Sequence, residues 1–393
     1  MGRQAMDAVA PAGHSAPMGA QDLERQSKGD FEAARLTVRL GAIVANYRTY
    51  RRVTGPTAVA AVVKADAYGL GAGRVAPALA QAGCDSFFVA RLEEGVALRA
   101  LLPGARIFVL DGAHPDSVPA LIRFSLTPVL NSLAQISTWS AAAGTGALDA
   151  VLHVDTGMNR LGLPRDELAI LSAEQAKRLA GLNLVLVMSH LACGDEPHNK
   201  KNAEQLVRFR QALAMLPPAP ASLAASHGAM LSPDFHFDLV RPGVALYGAD
   251  PQQPEGGASA KPNLMQTAAL LTARVLQVRR IDSGESVGYA ATFHAKRPSM
   301  IATIALGYAD GIPRALSNKG VAVLKGGRVP IAGRVSMDLI TLDVSGLAAA
   351  PEIGADVEFL GDTITLGEVA ELAGTNEYEI LTRLRRVPKS YEE

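Results

Sequence analysis

Between residues 57 and 248, short apolar runs alternate with longer stretches whose apolar positions recur every three or four residues. The runs lie at 59–63, 86–90, 106–110, 126–129, 150–154, 183–189, 221–225 and 240–244, each the length of a buried strand. The segments 73–82, 92–102, 115–123, 168–180 and 202–216 carry helical spacing instead. Eight strands, each followed by helical or irregular sequence, predict a parallel (β/α)8 barrel of the TIM type. A doubly wound open sheet is the alternative, but no Gly-x-Gly-x-x-Gly fingerprint opens its first unit.

After Gly248 the pattern changes. Residues 250–257 are polar and turn-rich, as in a linker. Beyond them the apolar runs 273–278, 299–305, 320–324, 328–331, 339–344 and 356–359 are short and separated by Gly, Pro and Asp. That spacing predicts a second, mostly β domain from about Leu264. A helix over 365–373, N-capped by Thr365, and another over 377–385 finish the chain, and 34–38 is a further strand candidate for this domain. The expected division is a flexible extension over 1–32, a barrel over 33–262 and a β domain over 263–393.

Composition narrows the classes. Of 393 residues 48% are hydrophobic and 19% charged, enough apolar sequence for a large core and against global disorder. Lys plus Arg equals Asp plus Glu at 38 each, which provides no basic field for nucleic acid and no polybasic face for a membrane. Two cysteines, Cys84 and Cys193, make neither a disulfide framework nor a cysteine zinc motif. No run of 18 apolar residues predicts a membrane span, and residues 1–30 contain no continuous apolar core of a signal peptide. A reducing cytoplasm is the expected location.

In such a barrel, side chains at the carboxyl ends of the strands converge on one mouth. The first strand delivers Lys64 and then Tyr68, followed by Gly69 and Gly71 for a tight turn. A lysine desolvated there has a lowered pKa and becomes an amine nucleophile suited to a Schiff base. The same run also reads as a strand whose last side chain emerges into solvent. The fifth strand delivers His153 and Asp155 to Gly162, the sixth Ser189 and His190, the seventh Ser226 to Gly228, the eighth Arg241 to Val244. Taken singly, His190, Ser226, Arg241 and Tyr68 read as interior or turn residues. Together they place amine, phenol, imidazole, hydroxyl and guanidinium around one concavity, with phosphate binding a natural use for the Ser226 and Gly243 ends. No group of carboxylates and histidines has metal-ligand spacing, so no metal site is expected.

Five segments in order resemble the alanine racemase family: Ala61 to Gly69 (AVVKADAYG), Asp155 to Gly162 (DTGMNRLG), Arg241 to Gly248 (RPGVALYG), Gly307 to Gly311 (GYADG) and Gly333 to Asp338 (GRVSMD). The resemblance runs from about residue 34 to the end. It implies a pyridoxal-phosphate barrel followed by a β domain, a homodimer with active sites shared between subunits, and interconversion of L- and D-alanine supplying peptidoglycan. It makes Lys64 the cofactor lysine and the base on one face of the substrate, and Tyr289 of the partner subunit the base on the other. A phenol with an ordinary pKa near 10 needs nearby cations for that task. Arg241 then serves the pyridine nitrogen, with His190 linking it to the tyrosine. Tyr68, Ser226, Gly243 and Val244 hold the phosphate. Arg160 meets the cofactor's phenolic oxygen and the substrate carboxylate, and the partner subunit's Tyr308 and Met337 wall the substrate pocket.

The chain departs from the family's pattern in places. Many members carry a carbamylated lysine, which orients the arginine, where this chain has His153; the asparagine before the phosphate-site serine is Ala225; and Arg385 aligns with a tyrosine that often touches the phosphate. The rival readings are a racemase of serine or of a broad range of amino acids, and a barrel-and-β decarboxylase, which would need a C-terminal cysteine motif that is missing here. A non-catalytic pyridoxal-phosphate carrier is the alternative from another class, and would need neither the second domain nor Tyr289.

Overall fold

The computed structural model describes residues 32–252 and 263–393; residues 1–31 of the expected extension and most of the expected linker lie outside them. Residues 34–393 pack as a single unit. Seven parallel strands follow one another in space in chain order: Ala61–Val62, Ser86–Val89, Arg106–Val109, Thr127–Leu130, Leu148–His153, Leu182–Met188 and Ala221–Ser222. Closure comes from the eighth, Leu239–Val240, which pairs in parallel with Ala58–Val59 just upstream of the first. Ala60 N donates to Val240 O at 2.9 Å and Val62 N to Pro242 O at 3.0 Å. On the other flank Arg241 N donates to Ala224 O at 3.0 Å, so no strand edge remains open. All eight expected strands are there. The last two are short because the chain leaves the ladder to form turns at the cavity.

Their side chains fill the barrel as expected for strands buried on both faces: Phe87, Phe88, Ile107, Val129, Val151 and Val187 are all excluded from solvent. Two helices escaped the periodicity. Leu40–Thr54 carries three arginines, Arg48, Arg51 and Arg52, yet buries Ile43, Tyr47 and Tyr50 against the barrel. Leu133–Ala142 is opened by Ser132, whose side chain accepts from Gln135 N. The expected helix over 168–180 is two, Arg165–Ala173 and Gln175–Arg178, broken at Glu174.

The β domain is organised on one long strand, Ala269–Ile281, with antiparallel neighbours Ala34–Arg39, Asp356–Leu360 and Ser299–Ile304. The first strand of the chain thus lies in the C-terminal sheet, where Lys389–Glu392 pairs with it in parallel. Val321–Leu324 and Gly327–Pro330 form a hairpin whose two turn residues, Lys325 and Gly326, have φ of 52° and 76°, the positive pair that a tight hairpin of matching twist requires. Thr365 caps the helix Leu366–Ala373 as expected, accepting from Glu368 N. Buried Asn46 ties the two parts together: its Nδ2 donates to Leu246 O and Gln266 O, and its Oδ1 accepts from Gln266 N at 2.7 Å.

Candidate active site

The carboxyl ends of the barrel strands surround a cavity of about 400 Å³. Lys64, Tyr68, Arg160, His190, Ser226, Arg241, Gly243 and Val244 all line it. Tyr289, Tyr308 and Met337 do not: they stand on the β domain of the same chain, 71%, 40% and 54% exposed.

Lys64 is presented by an unusual piece of backbone. Ala65, Asp66, Ala67 and Tyr68 have φ between 52° and 56°, one turn of left-handed helix built without glycine. Ala67 N donates to Val63 O at 2.9 Å and Gly69 N to Ala65 O at 2.8 Å, closing the turn. Glu94 clamps its start, one carboxylate oxygen accepting from Ala65 N at 2.6 Å and the other from Ala90 N at 2.8 Å. Gly69 and Gly71, at φ of 86° and 95°, then carry the chain into the helix Ala72–Gln81, as the glycine spacing predicts. Burial lowers the Lys64 pKa, and the Arg160 charge lowers it further. The amine therefore stands where a lysine is most useful as a nucleophile.

The far wall is a cradle. Ser226 is buried, and its Oγ accepts from Gly243 N at 2.9 Å, which leaves its own proton free to donate. Val244 opens a short 3₁₀ turn, so its N–H has no partner inside that turn. Tyr68 closes the cradle from above: a Cβ on Gly243 would sit 2.3 Å from its Oη. Its ring packs at a tilt of 39° against Tyr247 with centroids 4.9 Å apart and lies 6.0 Å from that of Tyr378.

Arg241 is 3% exposed and fixed on all sides. It donates through Nη1 to Ser222 Oγ and through Nη2 to Ser189 O at 2.7 Å. Burial pulls its pKa down to about 9, still charged at neutral pH. His190 has a pKa well below the ordinary value, first from burial and then from Arg241 and Arg160, so its ring is neutral. Gln205 holds this corner: its Nε2 donates to Thr156 Oγ1 and His190 O, and its Oε1 accepts from Ala192 N.

One expectation changes. Arg385 is exposed and does not line the cavity; Tyr378, about two turns earlier in the same helical region, does. The tyrosine was in the sequence, and the helical spacing that put 377–385 in a helix could have found it. Sequence reasoning also passed over Asn131, which follows the fourth strand at the cavity end and bonds His153, and Glu94, whose place beside Lys64 depends on tertiary packing.

A closed barrel with an amine-bearing lysine, an anion cradle and a fixed, buried arginine defines a cofactor-dependent enzyme. The donor set fits pyridoxal phosphate: an amine for its aldehyde, hydroxyl and backbone N–H groups with no room for an extra Cβ at the cradle, and Arg241 facing the space between. Residues 38–251 match the family profile described as alanine racemase, N-terminal domain, and 268–391 that described as alanine racemase, C-terminal domain. A catabolic alanine racemase of Agrobacterium fabrum is 47% identical over 94% of this chain and 95% of its own length, and an alanine racemase of Acidiphilium cryptum is 50% identical over 90% and 98%. The crystal structure of Bartonella henselae alanine racemase with covalently bound pyridoxal phosphate is 42% identical and superposes with a TM-score of 0.87 over 91% of this chain and 99% of that one. This chain belongs to the alanine racemase family.

Proposed function

We propose that the cavity interconverts L- and D-alanine with pyridoxal phosphate held on Lys64. The observation that carries this reading is the lysine itself: a half-buried amine of lowered pKa facing the Ser226–Gly243 cradle in a barrel of this family. The bound cofactor supplies an electron-accepting π system that makes the Cα proton of an attached amino acid removable. Lys64, on one face, takes or returns that proton. Burial and the Arg160 charge lower its pKa, which makes the free amine more available than that of an ordinary lysine.

Inversion needs a second group on the opposite face, because one amine cannot reach both. Among the described residues, Tyr378 at the cradle is the one tyrosine of the β domain that lines the cavity of its own chain; Tyr289 and Tyr308 do not. Tyr289 stands on an exposed turn, and Tyr308 and Met337 on two loops joined by Tyr308 N to Ser336 O at 3.0 Å and Ala309 N to Met337 O at 2.9 Å. A second copy of the chain would bring these loops over the mouth. The reading is therefore a homodimer with shared active sites, the partner subunit's Tyr289 acting as the second base and the partner's Tyr308 and Met337 limiting the side chain to a methyl group. Arg160 receives the substrate carboxylate. Arg241 serves the pyridine nitrogen, and its unshared charge there discourages side reactions that need a protonated ring. Tyr68, Ser226, Gly243, Val244 and, in addition, Tyr378 surround the phosphate.

No helix among the described residues is long and apolar enough to cross a membrane. We place the enzyme in the cytoplasm, where D-alanine enters peptidoglycan synthesis. The test is chiral analysis of L-alanine incubated with the purified protein and pyridoxal phosphate. Convergence on equal amounts of the enantiomers supports the reading. No inversion of alanine with rapid inversion of serine, lysine or arginine would overturn the substrate, and no inversion of any would favour the cofactor carrier.

A further inference from the structure

His153 ends the fifth barrel strand, in the wall of the cavity, with 9% of its surface exposed. Its Nδ1 lies 2.7 Å from Asn131 Oδ1. The identity of that oxygen follows from the rest of the amide. Asn131 Nδ2 donates to Val129 O at 2.8 Å and Leu110 O at 3.0 Å, so both its protons are used on carbonyls. Turning the amide over would aim its oxygen at those two carbonyls and its protons at the ring. The oxygen therefore faces His153, and Nδ1 must carry a proton to meet it. A neutral imidazole has only one N–H, which leaves Nε2 a bare acceptor.

The ring is neutral. Burial and the neighbouring Arg241 pull its pKa down to about 4, Arg160 adding to them; Asp155 acts in the other direction, and His190 stands close by without charge. A fourth cation among Lys64, Arg160 and Arg241 would be strongly unfavourable.

The chain after His153 returns to it. Asp155 N donates to Leu163 O at 3.0 Å and Leu163 N to His153 O at 2.8 Å, closing a loop that carries Arg160. Asp155 Oδ1 accepts from Gly157 N at 2.8 Å and Met158 N at 2.9 Å, which stiffens the near side of that loop. The far side passes over the imidazole: Gly162 has φ of 106°, and a Cβ there would lie 3.2 Å from His153 Cδ2, the carbon bonded to Nε2. Among the described residues, no side chain accepts a hydrogen bond from the Arg160 guanidinium, although it lines the same cavity as His153.

We infer that His153 is a positioning residue, held by Asn131 in its Nδ1–H form so that Nε2 accepts a hydrogen bond from Arg160 and aims it at the substrate. The task given to Arg160 rests on the racemase reading above; the tautomer does not. A neutral acceptor suits this place. It steadies the guanidinium without cancelling the charge needed for a carboxylate.

Three variants of the holoenzyme test it: His153→Leu, His153→Gln and Asn131→Asp. Histidine-selective 15N NMR of the parent, assigned by the resonance missing in His153→Gln, is expected to show an Nδ1–H imidazole at pH 7; an Nε2–H form or an imidazolium would overturn the inference whatever the substrate. His153→Leu, which has no acceptor, should raise KM about tenfold or more with a much smaller change in kcat, because a hydrogen bond to a charged group is lost. His153→Gln keeps a neutral acceptor and should recover most of that loss. Equal KM values for the two would refute the positioning role. Asn131→Asp stabilises the imidazolium, so the acid limb of kcat/KM should move up by about one pH unit or more; an unmoved limb would count against it. If His153→Leu does not fold, the other two variants decide. If the parent inverts another amino acid instead of alanine, the racemase reading falls on that point and the same KM comparison is made with the amino acid it takes.

Discussion

Gly243→Ala is the smallest change that should separate cofactor binding from folding. Its φ of −128° lies outside the positive range that glycine alone adopts readily. The obstacle is Tyr68: the new Cβ would stand 2.3 Å from Oη and 3.1 Å from Cζ, with Val62 Cβ at 3.4 Å behind it. Restoring ordinary contact at 3.4 Å requires the phenol to retreat by about 1.1 Å. It has little freedom to do so, being 5% exposed and packed between Tyr247 and Tyr378. Overpacking of this kind costs about 1–3 kcal/mol. The displaced hydroxyl also leaves the phosphate cradle, and losing one hydrogen bond to a charged group costs about 1.5–3 kcal/mol, or roughly ten- to a hundredfold in affinity. Pyridoxal phosphate titrated into the stripped variant and followed by its absorbance should show that weakening, beyond any fall in Tm of the stripped protein. Parental affinity would refute the placement of Gly243 and Tyr68 at the phosphate. Gly73→Ala is the control: it lies in the helix Ala72–Gln81 with nothing within 4 Å of its Cβ, and should leave affinity unchanged.

Tyr289→Phe should retain the cofactor's absorbance and lose about a hundredfold or more of racemisation, as removal of a general acid–base group does; unchanged turnover would remove Tyr289 from the mechanism. Mixing Lys64→Ala with Tyr289→Phe under subunit exchange should restore about a quarter of parental activity, because half of the dimers are mixed and each has one intact site of two. No recovery despite confirmed exchange would show that the sites are not shared between subunits. His153 predicts an acid-sensitive stability. Its folded pKa is about 4 against 6.5 in the unfolded chain, so it contributes nothing above pH 6.5. Between 6.5 and 4 the unfolded chain gains a proton that the folded protein refuses, and stability falls by at most about 3 kcal/mol. Denaturant titrations of His153→Gln should lack that increment, and an identical pH dependence would refute the assignment.

Strand positions were legible because a barrel strand is buried on both faces and leaves an unbroken apolar run, as 86–90 and 106–110 do. Helix 40–54 was not, because its interior arginines interrupt the stripe formed by Ile43, Tyr47 and Tyr50. The barrel's candidate residues were legible for a geometric reason. Strand ends converge, so reading the polar residues at or near the end of the runs assembles Lys64, His153, His190, Ser226 and Arg241 without any knowledge of contacts. Asn131 follows the same rule, directly after the fourth strand, which ends at Leu130, one residue beyond the run 126–129. Glu94 obeys no such rule. It sits on the helix Leu92–Leu101 and reaches the site through the packing of that helix beside the first strand. Tyr289, Tyr308 and Met337 form no site in one chain, and only the family's motifs gave them a role.

The left-handed turn after Lys64 shows what the site costs the fold. Such a conformation is disfavoured by roughly 1–2 kcal/mol per non-glycine residue, and four occur in succession. A right-handed turn would close with the same hydrogen-bond spacing, so the hand is the feature that needs a cause. Reversing it reverses the direction in which side chains advance around the axis, and Lys64 and Tyr68, four residues apart, both come to face the cavity. Ala65 and Ala67 keep the crowding small, Glu94 fixes the entry, and Asp66 Oδ1 accepts from Ala72 N at 2.7 Å at the exit. Each compensating group lies outside the reaction. The amine that must be nucleophilic and the phenol that must meet an anion are thus presented by hydrogen bonds of the backbone around them, with the Tyr68 ring held further by its packing between Tyr247 and Tyr378.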